Sequence, residues 1–447
     1  MKKIFILFLS FLSLFSCGVP TALATDEGKT ILSLGDSISA GYGLESEKDS
    51  FVYDILENAE VMNYSVSGNT AFDVWNQLSD KNNEKFVSAE KIEKADIVTI
   101  TCGGNDLMAV LYSKMAEAWN EANPDKEINQ AQIIAQLMLG DLSVLKTIAP
   151  LFDKSSEKYV VSHKDFDDAL EEYIKTLKNI TLYINLINPS CAVIVATQYN
   201  PYSELKGTFF GMVNMGIEDG VCKLNKAIEE NASLCGYMVA SVKRKFDSSK
   251  EKNLCNVDLK TMNFDFHPNS NGHRLLAESF NEAVNKIEYV KCYVNHNYET
   301  ENGQFESIKE ELNVVSNVFL TAKEKVIEGY SSLSHDDTVK SLWATEGAEL
   351  KLYYSKNTYT VTWRDGDDVS VEEYKFGEKI KAPEKTKQGY KFKGWNGDVP
   401  ETQPSKNLEF EAVWEKKTNS TLFFVASVIG GCALIVAILL KRRGKKK

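Results

Sequence analysis

The sequence predicts an α/β protein, a parallel sheet with helices on both faces, followed by a small all-β module. Three observations carry that prediction. From residue 30 to about 287, short β-branched runs alternate with amphipathic segments, the pattern of strands joined by crossover helices. Two of the runs, Asp96–Thr101 (DIVTIT) and Cys191–Thr197 (CAVIVAT), are apolar almost throughout, as strands covered on both faces must be. From Asn357 the texture changes to short alternating stretches broken by Gly and Pro.

In chain order, Thr30–Leu34 reads as a first strand and Phe51–Asn58 as a short helix. Val61–Val66 reads as a second strand and Ala71–Leu78 as a helix. DIVTIT follows as a central strand, then a helical stretch over Phe166–Ile187, then CAVIVAT. A helix over Met212–Asn231, a strand near Tyr237–Val242 and a closing helix over Asn271–Ile287 complete a unit spanning 27–295. Between Leu107 and Lys164 lies extra material with two helical patterns and no clear strand. Inserts placed after a strand cover binding clefts or simply pack, and the pattern alone does not choose. Residues 296–356 are polar, and apolar positions within Phe305–Ile327 recur at helical spacing, so this stretch is expected to be a helical spacer. Strands are expected at Tyr359–Trp363, Val369–Tyr374, Lys391–Trp395 and Leu408–Trp414, in a module covering 357–415.

The two ends belong to neither core. Lys2-Lys3, an apolar stretch from Ile4 to Phe15 and Ala22-Leu23-Ala24 form a secretory signal over 1–24. The rival reading makes Cys17 a lipidated residue, against which stands the bulky Phe15. Thr421–Leu440 is an uncharged, mostly apolar run long enough to span a bilayer as a helix, and a basic tail, 441–447, follows it. Basic flanks stay on the cytoplasmic side, so the expectation is a single-pass membrane anchor with everything before it extracellular. The arrangement resembles a bacterial cell-wall sorting signal but lacks the Leu-Pro-x-Thr-Gly motif upstream, which favours a retained anchor.

Net charge is −12, and removing the eight basic residues of signal and tail leaves the exported part near −20. So acidic a body argues against nucleic acid as a partner. Of the eight cysteines, Cys102 and Cys191 fall in strand-like runs and are expected as buried thiols. Cys222, Cys235, Cys255 and Cys292 lie where extracellular chemistry permits disulfides, in any of three pairings.

Chemistry-bearing residues collect at predicted strand ends. Gly35-Asp36-Ser37 follows the first strand, Gly68-Asn69 lies past the second, and Gly103-Gly104-Asn105-Asp106 lies past the third. In open α/β sheets ligands bind at those carboxyl ends. A serine there is by itself more often a cap or turn former; the neighbouring blocks make it a candidate nucleophile. Acyl transfer needs donors aimed at a developing oxyanion, and the Ser37 and Gly68 backbone N–H groups and the Asn105 amide can supply three. A serine hydroxyl also needs a base. Of the five histidines, His267, in the Asp265-Phe266-His267-Pro268-Asn269 loop before the closing helix, is the candidate; His273 reads as a packing or capping residue.

GDSIS at 35–39, Gly68 with Asn69, GGND at 103–106 and His267-Pro268 resemble, in order, the four sequence blocks of SGNH (GDSL-type) hydrolases. LSLGDSISAGYGLE at 32–45 is similar to the lysophospholipase/thioesterase branch. The resemblance covers roughly 29–290. It implies a flavodoxin-like three-layer fold, no metal or cofactor, and hydrolysis of carboxylic esters through an acyl-enzyme. In it Ser37 attacks, His267 moves the proton, and Ser37, Gly68 and Asn105 hold the oxyanion. The family's usual place for the catalytic acid, three residues before the histidine, holds Phe264 here. Asp265 is two before and Asp258 more distant, so either Asp265 reaches the imidazole or a backbone carbonyl orients it. The stretch from Tyr359, with Gly389-Tyr390-Lys391-Phe392-Lys393-Gly394-Trp395, resembles a Listeria–Bacteroides-type β-grasp-like repeat of bacterial surface proteins. That implies a spacer or a cell-surface or glycan contact, with Trp363, Tyr390, Phe392 and Trp395 more its small core than a sugar platform. Expected substrates are acyl groups on lipids or acetyl groups on glycans. The alternatives are a non-catalytic adhesion protein on a hydrolase fold, and acyl transfer to a sugar.

Overall fold

The computed structural model describes residues 28–138, 141–203, 211–258, 261 and 263–417. The 1–24 signal and the 421–440 span lie outside the described residues. Among the described residues no helix is long and apolar enough to cross a membrane. The chain divides into two compact units, one containing residues up to 293 with 311–321 and 341–350, the other the rest.

Five strands of the first unit, β1 (Thr30–Gly35), β2 (Glu60–Asn63), β3 (Ile97–Thr101), β4 (Ala192–Ala196) and β5 (Met238–Ala240), form an all-parallel sheet in the order β2-β1-β3-β4-β5. This is the flavodoxin-like order, and its topological switch falls between β1 and β3, where the connections depart in opposite directions and leave a crevice. Both faces are covered because successive side chains alternate. Leu32, Leu34, Val98, Ile100, Val193 and Val195 enter one core, with the helix Lys164–Ile187 packed there through Tyr173, Leu177, Ile180 and Ile184. Ile31, Ile97, Ile194 and Ala196 enter the other, against Leu276, Phe280 and Val284 of the helix Ser270–Val284. The three-layer expectation therefore holds, and Cys102 and Cys191 are buried.

The insert is not appended to this core but continuous with it. Its helices Gly104–Ala122, Gln130–Met138 and Leu142–Ile148 place Leu111, Met115, Trp119, Ile133, Val144 and Ile148 in the same cluster as Leu32 and Leu34. An antiparallel hairpin, β6 (Cys255–Asp258) with β7 (Asn263–Pro268), precedes the closing helix. His267 thus lies in a strand, where a loop was expected. Among the described residues Cys102, Cys191, Cys222, Cys235 and Cys292 form no disulfide.

The helical spacer expected over 296–356 is corrected. The stretch is built from β8 (Tyr289–Glu299), β9 (Phe305–Val315), β10 (Phe319–Thr321), β11 (Tyr330–Leu333), β12 (Ser341–Trp343) and β13 (Glu349–Lys356). In β8 the buried residues are Cys292, Val294 and His296, a period of two. In β9 Ile308, which made the spacing look helical, is exposed, and only Val314 and Val315 are buried. Non-local strand pairing overrode the local pattern.

The C-terminal module contains β14 (Thr358–Asp365), β15 (Asp368–Lys375), β16 (Tyr390–Trp395) and β17 (Leu408–Lys416) in the order β15-β14-β17-β16. The central pair is parallel and the outer pairs are antiparallel. Val361, Trp363, Ile380 and Phe410 form its core, with Trp395 packed at the edge, while Tyr390 is exposed.

Candidate active site

Ser37 sits where β1 turns into the short helix Ser37–Ala40, beside the β1/β3 switch. The turn is tight because the Asp36 N–H donates to the Thr101 carbonyl at 3.0 Å. A Cβ at residue 35 would stand 2.3 Å from that same oxygen, so only glycine fits, at φ +144°. Asp36 is fully buried and caps the helix, accepting from the Ile38 N–H and from the Thr101 hydroxyl, both at 3.0 Å. Burial lifts its carboxyl to about 7 despite these donors. Thr101 in turn meets the Ser39 hydroxyl at 2.6 Å.

His267 faces Ser37 from β7. Its Nε2 lies 2.9 Å from Ser37 Oγ, and its Nδ1 lies 2.5 Å from Asp265 Oδ1. A second bond, from the His267 backbone N–H to the same carboxylate oxygen at 3.1 Å, fixes the relative position of the two residues. The strand explains the spacing. Residues i and i+2 point to the same side of a strand, so Asp265 and His267 share a face, a relation that three-residue spacing does not give. Asn256 of β6 donates to Asp265 Oδ2 at 3.3 Å, and the Tyr42 ring lies 4.4 Å from the imidazole. Asp258 is elsewhere, at the hairpin end, accepting from the Thr261 hydroxyl at 2.9 Å.

Asn105 lines the same cavity as Ser37, and Gly68 precedes Asn69, whose carbonyl Asn105 meets. Gly68 has φ +89° and open space where a Cβ would project. The Asn105 side-chain amide donates one hydrogen to the Asn69 carbonyl at 2.9 Å, which orients the group and leaves its second N–H for another acceptor. Asp106 braces these loops, accepting from the Ala71 N–H and the Gly103 N–H at 3.1 Å, and burial raises its carboxyl to about 6. Gly103, at φ +109°, passes so near Tyr173 that a Cβ would lie 2.9 Å from the ring.

His273 is not at this site. It is buried, its Nδ1 accepts from the Phe51 N–H at 3.1 Å, and desolvation lowers its pKa to about 4, so it stays neutral. It is the packing residue the sequence suggested. Asp36, Thr101 and Asp106 were not picked out as functional, although two of them stand inside the GDS and GGND motifs. The motif letters were visible, but not the backbone groups they hold.

An apolar cavity of about 120 Å³ opens at Ser37 and Asn105 and runs under the insert. The arrangement of hydroxyl, imidazole, carboxylate and amide donors can deprotonate a nucleophile and receive a developing negative charge.

The chain matches the GDSL-like Lipase/Acylhydrolase family over residues 33–275. It is 27% identical over 274 residues to the uncharacterised protein YpmR of Bacillus subtilis (strain 168), covering 59% of this chain and 84% of that one. Among solved structures it is similar to a lipase from a goat rumen metagenome, with 18% identity, TM-score 0.38, and coverage of 57% of this chain and 97% of the other. It is also similar to phospholipase A1 from Streptomyces albidoflavus NA297, with 17% identity, TM-score 0.37, and coverage of 57% and 99%. The family match takes in more than half of the chain and spans the GDS, GGND and His267 segments, so this protein is an ester hydrolase that belongs to the GDSL-like lipase/acylhydrolase family.

Proposed function

We propose that the protein is an exported, membrane-anchored serine ester hydrolase working through an acyl-enzyme, with Ser37 as nucleophile, His267 as general base and acid, and Asp265 as the residue that orients it. The observation carrying this reading is the continuous hydrogen-bonded line from Asp265 through His267 to Ser37 Oγ. Ser37 Oγ attacks the ester carbonyl carbon while its proton passes to His267 Nε2. The tetrahedral oxyanion is held by the Ser37 and Gly68 N–H groups and the Asn105 amide. Collapse expels the alkoxide, which takes the proton back from His267, and leaves Ser37 acylated. Water, deprotonated by the same nitrogen, attacks the acyl-enzyme; the acyl carbon–Ser37 Oγ bond breaks, Oγ takes the proton back from His267, and the carboxylic acid is released. Asp265 keeps the Nδ1 proton in place, so that Nε2 is the free acceptor, and stabilises the imidazolium.

Export and anchoring rest on the sequence of 1–24 and 421–440. Of the C-terminal module we propose that it is a single Listeria–Bacteroides-type repeat acting as a spacer or surface contact. Its mixed four-stranded order with a central parallel pair supports a β-grasp-like unit. The test is hydrolysis of p-nitrophenyl acetate and longer esters by the full chain in detergent beside its Ser37→Ala form. Serine-dependent release supports the reading, and equal release by both forms overturns it.

A further inference from the structure

The insert and the helix Gly211–Cys235 enclose the cavity that opens at Ser37, and how they meet bears on what can occupy it. Gly216 and Gly220 lie one turn apart on that helix and form a notch. A Cβ on Gly216 would stand 2.7 Å from the Phe152 ring, and one on Gly220 would stand 3.4 Å from the ring of Phe166 and 3.8 Å from Val161. Phe152, Val161 and Phe166 are themselves buried. The insert is therefore seated against the helix, and the space left between them is a walled channel. One side carries Leu107, Met108 and Leu111 of the helix after β3, and the facing side carries Ile217, Val221 and Leu224. Among the described residues the lining contains no lysine, arginine or glutamate, and its carboxylate, Asp36, is engaged by the Ile38 N–H and Thr101.

Besides Asp36, Ser37 and Asn105 the polar side chains of the lining are Gln198, Tyr199 and Tyr202, of which Gln198 donates to the Cys102 carbonyl and Tyr199 to the Phe266 carbonyl. The rest is apolar and removes methylenes from water at a gain of about fourfold in equilibrium or rate for each one buried. Its size is also informative. An apolar cavity of about 150 Å³ admits benzene, so about 120 Å³ takes roughly four to six carbons beyond a carbonyl held at Ser37. We propose that this channel is an acyl-chain site and that the acid half of the substrate is a fatty acyl group of roughly five to seven carbons, not acetyl. The insert supplies a fixed wall that selects this chain. The proposal deepens the ester-hydrolase reading and rests on it.

The experiment is the kcat/KM profile of the full chain in detergent for p-nitrophenyl esters from acetate to dodecanoate, repeated for Val221→Phe, Met108→Trp and Leu234→Ala. The wild type is expected to gain at least about 50-fold from acetate to hexanoate or octanoate, and then to level off or fall. Each bulky variant, shown folded by a cooperative melt, is expected to lower the octanoate-to-acetate ratio at least tenfold, while Leu234→Ala, at an exposed position of the same helix outside the channel, leaves it within about threefold. A flat or falling wild-type profile overturns the acyl site while leaving the esterase intact, as does an unchanged ratio in both bulky variants. Absence of Ser37-dependent release from every ester overturns the esterase reading, and this one with it.

Discussion

Replacing Asp265 separates the two jobs proposed for its carboxylate, holding the His267 tautomer and stabilising the imidazolium. Its Oδ1 meets His267 Nδ1 at 2.5 Å, and a hydrogen bond to a charged partner is worth about 1.5–3 kcal/mol. When the imidazole becomes imidazolium in the transition state, Asp265→Ala loses that amount, which lowers kcat about 10- to 150-fold. Asp265→Asn is expected to be worse. Its amide can present an N–H to Nδ1, which moves the imidazole proton to Nε2 and leaves no acceptor for the Ser37 proton; a tautomer error of this kind costs up to about 10⁴-fold. Asp258→Asn, at the far end of the hairpin, is the control and should stay within about twofold. The assay is steady-state hydrolysis of p-nitrophenyl butyrate, with kcat and KM resolved separately and thermal melts confirming the fold. If both Asp265 variants keep more than a third of wild-type kcat, the carboxylate does not orient the base and the reasoning fails. If Asn proves milder than Ala, the tautomer argument fails.

Other outcomes follow from the same geometry. Asn105→Ala removes an oriented amide donor and should lower kcat about 10²- to 10³-fold with little change in KM, read from the same kinetics. His273→Ala leaves the Phe51 N–H without its acceptor and should lower the unfolding free energy by about 1–3 kcal/mol in denaturant titration, with turnover of the folded protein near wild type. Asp36 holds its proton up to about pH 7 in the folded state but only to about 3.8 when exposed. Below 3.8 both states are protonated and the contribution is full; as pH rises through that window the unfolded chain alone releases the proton, and stability falls. The loss is on the order of a few kcal/mol by pH 8, and Asp36→Asn should flatten the decline when unfolding free energy is measured from pH 5 to 8.

Much of the layered fold was legible because β1, β3 and β4 are buried on both faces, and strands of that kind are apolar throughout. That Ser37 and Asn105 line one cavity was foreseeable, because motifs at successive strand ends converge at the switch point of a parallel sheet. The position of Asp265 was not settled, since it depends on whether residues 263–268 form a loop or a strand. That is decided by pairing with β6 from Cys255 onward, a partner that local pattern does not reveal. The same limit explains β9, where the helical spacing of Phe305, Ile308 and Leu312 was a coincidence within one strand. Asp36 and Asp106 were read as letters of a motif. Their work is to receive the N–H groups of Ile38, Ala71 and Gly103, and that becomes visible only when the backbone is in place.

The most direct test of the account is covalent capture. The full chain in detergent is incubated with a p-nitrophenyl alkylphosphonate, which leaves a stable phosphonyl group on an activated serine, and the adduct is located by peptide mass mapping. The account predicts one adduct per chain, on the peptide containing Ser37, absent from Ser37→Ala and formed at least a hundredfold more slowly in His267→Ala. An adduct on a different residue, or continued ester turnover by Ser37→Ala, would contradict it.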